Sequence, residues 1–232
     1  MKSKLLLILF FISSLYYAQY NGKKFYISAN YTYTATSKLY LQPNSSDAII
    51  RETHDNIDGL YSYSAAFGYK AFENIEFNIS VEYLEKTVNN RNTTLGATRV
   101  EKKDGYRVIP IELSLFYTLP FSLERFKFFM GGGGGFYIGD HIRKLGDVTA
   151  STQSRKVGFG ILVDVGMDYL INNYFVLRGQ MRFRNPVFEM KNKYSSTTVN
   201  YGGSTYYLAT DTFDSKVDID GVSFVIGLLF QF

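Results

Sequence analysis

Residues 157–169 read VGFGILVDVGMDY, and this stretch decides the fold. Large apolar side chains occupy its odd-numbered positions, whereas glycines, one leucine and two aspartates occupy the even-numbered ones. An alternation of period two indicates a β-strand, because successive side chains of a strand point to opposite faces. Here one face is bulky and apolar and the other is small or charged. This pattern is typical of a strand with lipid on one side and the polar interior of a barrel on the other.

The same alternation recurs in seven further segments, which makes eight strands in all. A soluble eight-stranded barrel would need the reverse arrangement, with an apolar lining and a polar exterior. The eight segments are residues 25–34, 61–70, 77–83, 109–117, 126–138, 157–169, 175–184 and 222–232.

The amino-acid composition excludes several kinds of functional site and partner. The chain has 232 residues, no cysteine and two histidines that lie far apart, His54 and His141. Disulfide scaffolds, cysteine nucleophiles and histidine-based metal clusters are therefore excluded, and we expect no metal and no cofactor. A mean hydropathy of -0.10 excludes a bundle of membrane helices. The net charge of +4 is small and scattered, which argues against nucleic acid as a partner.

The N-terminus predicts export. Lys2 and Lys4 precede an apolar run at residues 5–12, and the small residue Ala18 follows. A basic start, a short apolar core and a small residue near the cleavage point indicate a secretory signal peptide. We therefore assign residues 1–19 to a cleaved signal peptide and residues 20–232 to the barrel domain.

The links between the strands alternate in length. Three are short, and the other four are long and polar. Short turns on one side and long loops on the other are typical of outer-membrane barrels, whose long loops are extracellular. The sequence therefore predicts an all-β fold, an eight-stranded antiparallel up-and-down transmembrane β-barrel in the outer membrane. The short links lie near residues 72–75, 120–124 and 171–173, and the long ones at 37–58, 88–104, 140–154 and 187–216.

Tyrosines near the strand ends suit the border between membrane and water, where the ring is buried and the hydroxyl stays hydrated. The predicted interface aromatics are Tyr31, Tyr33, Tyr69, Tyr83, Tyr117 and Tyr169.

The end of the chain resembles the assembly signal of a known family. Gly227, Phe230 and Phe232 match a pattern of one glycine and two aromatic residues, although Val225 stands where the family usually has a polar residue. With the strand pattern, the sequence is similar to the small eight-stranded outer-membrane barrels of the outer-membrane protein A, OmpX and OmpW type. It also resembles the PorT-like barrels. The resemblance implies that the barrel-assembly machinery recognises the last strand.

Charged residues on the inner faces are the main candidate site. One interpretation is a pair of carboxylates acting as general acid and base in a glycosidase-like site. We favour an ion network that fills the lumen, because buried charges persist only when they are paired. Taking residues 171–172 as a turn centre places Asp164 opposite Gly179. The predicted network comprises Glu82, Glu112, Asp164, Asp168, Arg178, Arg182 and Arg184.

Two motifs invite a catalytic interpretation. The run Gly131–Gly135 lacks the Lys and Ser/Thr of a phosphate-binding loop, so we interpret it as a bend that makes room for bulky neighbours. The alternative is a gap in the wall that admits lipid. A lipid-A-modifying enzyme would need a histidine, a serine and an acid, but the serines nearest His141, Ser151 and Ser154, lie across a loop. Both histidines are predicted to be exposed loop residues.

The sequence therefore predicts a barrel that is not an enzyme and has a structural or surface-interaction role, with an accessory role in secretion or in maintenance of the envelope as the more specific hypothesis. Its expected partners are outer-membrane lipids, the assembly machinery, and an extracellular or secretion-system protein bound through the long loops. The alternatives are a lipid-A-modifying enzyme and a narrow channel.

Overall fold

The computed structural model describes residues 22–95 and 98–232, so the predicted signal peptide at residues 1–19 lies outside the described part of the chain. Within these ranges no helix is long and apolar enough to cross a membrane. One short helix, α1 (Ala48–Glu52), accompanies the strands. The strands are β1 (Phe25–Thr34), β2 (Lys38–Tyr40), β3 (His54–Asn56), β4 (Leu60–Lys70), β5 (Ile75–Leu95), β6 (Thr98–Thr118), β7 (Phe126–Leu145), β8 (Val148–Leu170), β9 (Phe175–Arg184), β10 (Val187–Tyr194), β11 (Thr198–Tyr201), β12 (Ser204–Tyr207), β13 (Thr212–Asp218) and β14 (Gly221–Gln231).

Eight of the strands form a closed ring. β1 pairs with β4 on one side and with β14 on the other, and β4 to β8 follow in chain order. β8 pairs with β9, and β9 pairs with β14, which closes the ring. A closed antiparallel ring satisfies its backbone N–H and C=O groups without water. The predicted fold class, an eight-stranded antiparallel barrel, is confirmed.

The sheet continues beyond the ring at the end with the long connections. We call this part, together with the separate β11–β12 hairpin, the extracellular extension; it comprises β2, β3, β10–β13 and the adjoining halves of β5–β8. Here β8 leaves β9 and pairs with β10, β10 pairs with β13, and β13 pairs with β2.

Three segments predicted as polar loops, residues 88–104, 140–154 and 187–216, are strand for most of their length, so this prediction was wrong. The reason is burial inside the extension. Val100, Leu145 and Val148 pack there against Val199 of the separate β11–β12 hairpin, and apolar burial stabilises the long hairpins.

The outer surface of the ring is apolar, and we call it the belt. On β6, Ile109, Ile111, Leu113 and Leu115 face outward with exposures between 37% and 57%. β1 has 10 residues and β4 has 11, the length that crosses the hydrocarbon core as a tilted strand. Apolar side chains this exposed, repeated around the ring, suit contact with lipid.

The glycine run Gly131–Gly135 lies inside β7 and leaves the strand continuous. β7 stays paired with both β6 and β8 along the run. A Cβ added at Gly133 would lie 1.8 Å from the backbone oxygen of Leu113, and one at Gly135 would lie 2.8 Å from Cγ of Glu112. The glycines therefore allow β6 and β7 to approach closely and leave lumen space for the Glu112 side chain.

Candidate functional site: the lumen and the interior of the extension

Three layers of charged side chains cross the lumen, and the layer nearest the short turns centres on Arg178. Its guanidinium donates to Asp168 in two hydrogen bonds of 2.7 and 2.8 Å and reaches Glu76 at 3.1 Å. The Tyr26 hydroxyl donates to Glu76 and accepts a hydrogen bond from Asn78 at 2.7 Å. Charge-assisted hydrogen bonds of this kind are shorter and stronger than neutral ones. They connect β1, β5, β8 and β9 across the barrel.

The middle layer centres on Arg182. Its Nε lies 2.8 Å from Asp164 Oδ1, and its Nη1 lies 2.5 Å from Glu112 Oε2. Gln180 donates a further hydrogen bond of 2.6 Å to Asp164. The side chains of Asp164 and Glu112 are at most 1% exposed. Each charge in this layer therefore depends on its partner, because an unpaired buried charge is costly.

The third layer centres on Arg184. Its guanidinium lies 2.7 Å from Glu82 and 3.2 Å from Glu112, so Glu112 joins this layer to the middle one. Ser62 donates to Glu82, and Tyr137 donates to Glu112, each at 2.6 Å. The carboxylates thus receive hydrogen bonds from neutral as well as charged donors.

All seven charged residues singled out in the sequence face the lumen, but the register predicted for one of them was wrong. Asp164 lies opposite Arg182, where the prediction placed Gly179. The turn between β8 and β9 lies further along the chain than expected, since the N–H of Ile171 donates to the carbonyl of Phe175. Moving a turn centre shifts every cross-strand partner that follows it.

Sequence reasoning missed several members of the layers. Glu76 lies one residue before the segment identified as a strand, although it shares its parity with the inner-face residue Glu82. Tyr26 and Tyr137 also occupy strand positions whose side chains point into the lumen. Because both are aromatic, the sequence analysis did not count them among the polar residues of the inner face. Assigning every second residue of each strand to the inner face, whatever its type, would have identified all three.

An apolar layer lies above the charged layers, at the entry to the extension. Each of its members is at most 2% exposed. The layer comprises Leu39, Ile57, Leu60, Leu84, Tyr106, Val108, Tyr137, Phe188, Met190, Val217 and Ile219.

A second polar group, which we call the Asp104 cluster, is buried in the interior of the extension. His141 Nε2 lies 2.6 Å from Asp104 Oδ1, and His141 Nδ1 lies 2.9 Å from Ser215 Oγ. Arg143 Nε also donates to Asp104 at 3.2 Å, and Lys102 Nζ lies 3.0 Å from it. The chain of serine, histidine and aspartate has the composition of a catalytic triad.

Burial sets the protonation of this cluster. It lowers the pKa of His141, and this outweighs the opposing influence of Asp104, so the imidazole is neutral at pH 7. Burial alone would raise the pKa of Asp104, but the hydrogen bond from His141 and the charge of Arg143 hold that pKa well below its usual range. Neutral His141 therefore donates from Nε2 to Asp104 and accepts at Nδ1 from the Ser215 hydroxyl.

The prediction that His141 is an exposed loop residue was wrong. It lies on β7 and is 3% exposed. Its serine partner is 74 positions away in sequence, so a search among neighbouring serines could not find it. His54 lies on β3, half-buried, with its ring centroid 5.0 Å from that of Tyr40.

The predicted interface tyrosines all lie on the outward face. Tyr31, Tyr33 and Tyr83 lie towards the extension, and Tyr69, Tyr117 and Tyr169 towards the short turns. Two tyrosines that the sequence reasoning did not assign to the interface, Tyr61 and Tyr63, are 53% and 69% exposed beside Tyr31.

The residues of the predicted assembly signal lie on or just after β14. Gly227 faces inward beside Asn30, and Phe230 packs on Phe175 with ring centroids 5.4 Å apart. The N–H of Phe232 donates to the carbonyl of Phe25 at 2.9 Å, which joins the two ends of the ring.

Comparison with known proteins gives a shared fold. No protein-family model matches the sequence, and no curated protein matches it. The outer-membrane protein OprG from Pseudomonas aeruginosa matches with a TM-score of 0.63 and 14% identity, over 91% of this chain and 96% of OprG. Neisserial surface protein A matches with a TM-score of 0.48 and 11% identity, over 90% and 97%. The likeness to OprG shows that this chain has the fold of an outer-membrane β-barrel, and the apolar belt agrees with that fold.

Proposed function

We propose that this outer-membrane barrel does not conduct solutes and acts through its extracellular extension, in a structural or surface-interaction role. The filling of the lumen carries the proposal. Arg178, Arg182 and Arg184 bridge the walls at three heights, and the apolar layer lies above them. An eight-stranded barrel is just wide enough for side chains to fill. A solute would have to separate buried ion pairs and then cross an apolar layer.

Conductance tests this proposal against the narrow-channel alternative. The purified barrel, inserted into planar bilayers, is expected to give no discrete conductance steps. Arg182→Ala combined with Arg184→Ala thins two charged layers, and we expect it to stay silent because the apolar layer remains. Arg107→Ala, on the outer surface, is the matched control. Discrete steps from the wild-type protein would overturn the proposal of a sealed lumen.

Exposed side chains of the extension support the binding of a protein partner. This partner would be an extracellular protein or part of a secretion or envelope-maintenance system. Ile49 on α1 and Tyr207 on β12 are each 81% exposed, outside the apolar belt, and offer apolar surface to a partner. A photo-crosslinking residue at position 49 or 207 is expected to capture the same protein in intact cells. Position 72, where Phe72 is exposed in a short turn, serves as the control. No product at 49 or 207, or the same product at 72, would contradict this role.

We also propose that the barrel-assembly machinery recognises Gly227, Phe230 and Phe232. β14 is the strand that closes the ring on β1, so its recognition would precede closure. Phe232→Ala is expected to lower the fraction of heat-modifiable, folded protein in the outer membrane. Phe121→Ala, in an exposed turn, is the control. Equal folded fractions for the two variants would count against the signal.

The Asp104 cluster favours hydrolysis of an ester as a second candidate function. Ser215 Oγ would attack the carbonyl carbon as its proton passes to His141 Nδ1; His141 would then protonate the leaving alkoxide, and water would cleave the acyl-serine. Ser215 is completely buried, so the extension would have to open. Labelling of the refolded protein by a fluorophosphonate, lost in Ser215→Ala, would support this function. No labelling of the wild-type protein would dismiss it.

A further inference from the structure

The border between the belt and the extension differs between two sides of the barrel. Along β1 and β4 the border is aromatic, and Tyr31 and Tyr63 are 42% and 69% exposed. Along β6, β7 and β8 it is charged. There Arg107 and Arg155 lie on either side of Asp140, with N–O distances of 3.1 and 2.5 Å.

In these pairs the cation faces outward more than the acid does. The side chains of Arg107 and Arg155 are 46% and 47% exposed, against 21% for Asp140. Lys156 is 70% exposed, against 35% for its partner Glu189. Register irregularities in β8 present Arg155 and Lys156 on the outer surface together. Because arginine has five N–H donors, each guanidinium keeps donors that Asp140 does not use.

Two further cations lie higher on the same surface. Lys103 and Lys144 are directly opposite each other on β6 and β7, and both are exposed. Neither forms an ion pair with any residue in the described ranges 22–95 and 98–232. Like charges directly opposite on a sheet repel each other, so an anion between them would be stabilising. They lie four residues above Arg107, about 13 Å along the strand.

We propose that this surface, the cationic patch, binds phosphate groups on the headgroup of an outer-leaflet glycolipid. The inference rests on the outer-membrane location. Below the patch, Phe136, Val157 and Phe159 are 54–61% exposed and offer a surface for acyl chains. Cations at two heights fit a phosphorylated sugar headgroup better than a lipid with one phosphate. The patch sets five cations, Arg107, Arg155, Lys156, Lys103 and Lys144, against four acids, Asp140, Glu189, Glu85 and Glu101, of which Glu85 accepts a hydrogen bond from Tyr83.

The test is binding of purified lipid A to the refolded barrel in detergent, followed by native mass spectrometry. The wild-type protein is expected to prefer bisphosphorylated lipid A over the dephosphorylated form. Lys103→Gln combined with Lys144→Gln is expected to weaken binding of the phosphorylated form about tenfold, since each surface cation contributes measurably to anionic lipid binding. The control, Lys38→Gln combined with Arg51→Gln, removes the same charge from β2 and α1.

Each outcome is decisive for the patch. Weaker binding in the Lys103/Lys144 variant, with unchanged binding in the control variant, supports the cationic patch. Equal loss in the control variant would show attraction by net charge, and would overturn the site. Equal binding of both lipid A forms by the wild-type protein, or unchanged binding by the Lys103/Lys144 variant, would also overturn it. All the substitutions are on exposed side chains, and heat modifiability checks that each variant is folded.

Discussion

The ring and the extension differ in the polarity of their interiors: each strand keeps the same face towards the interior, but that face is charged in the ring and mainly apolar in the extension. On β6 within the ring, Glu112 faces the lumen and Leu113 faces outward. On β6 within the extension, Tyr106 faces the interior and Lys103 faces outward. The medium outside the wall explains the inversion, because lipid accepts apolar side chains and water accepts charged ones. A single strand therefore changes its pattern where the membrane ends.

The two regions also differ in what holds them together. The ring interior relies on ion pairs among groups such as Arg182 and Glu112, which are stable only as a complete set. The extension relies mainly on apolar packing, as in a soluble protein, with the Asp104 cluster as a buried polar exception.

Removing one carboxylate from the lumen is the strongest test of whether ion pairs stabilise the ring. Glu112→Leu leaves Arg182, Arg184 and Tyr137 without their shared acceptor, and we expect the free energy of unfolding to fall by about 3–5 kcal/mol. Urea titration of the barrel refolded in lipid vesicles measures this loss. Glu85→Leu on the outer surface is the matched control, with a small expected effect. Similar losses for the two variants would show that the charged layers do not stabilise the ring.

The inversion itself can be tested on one face of one strand. Ile111→Arg puts a charge into the belt and is expected to lower the free energy of unfolding by about 2–4 kcal/mol. Glu101→Arg, on the same face of β6 in the extension, should change it little, because that side chain is in water. The same urea titration compares them. Equal effects would mean that the border between lipid and water is wrongly placed.

Much of the ring could be predicted from the sequence, because the lipid-facing rule acts on each strand separately. The apolar face of residues 157–169 and the inward parity of Glu82 follow from period two alone. The partners of a charge depend on the turn, and so Asp164 was assigned the wrong neighbour. The extension was harder to predict, since its strands resemble loops in polarity. Its His141–Ser215 contact joins distant segments that no local pattern relates.

We expect low pH to destabilise the extension but not the ring. This is the smallest of the three effects predicted for the two regions. Because the pKa of folded His141 is lowered, the unfolded state binds the proton more readily. Stability of the extension is then complete above the ordinary histidine pKa of about 6.5 and falls below it, by at most about 1.4 kcal/mol per pH unit. Asp104, whose folded pKa is also lowered, adds a loss of the same sign at lower pH.

Hydrogen exchange measures this difference. Protection of β7 and β13 near the Asp104 cluster is expected to fall between pH 7 and pH 5, while protection of β1 and β14 in the ring stays constant. His141→Gln should remove the dependence in this range. A parallel fall in both regions, or a dependence that persists in the variant, would argue against His141 as its source.

The pairing of β1 with β14 also constrains how the chain reaches the membrane. The two strands come from opposite ends of the described sequence, so this contact is among the last that synthesis makes possible. Until then, β1 has an unpaired edge and an exposed apolar face, and a strand in this state is prone to pair with another copy of the chain. Pairing of β1 with β14 therefore also removes the strand edges through which two copies of the chain could associate before the ring closes.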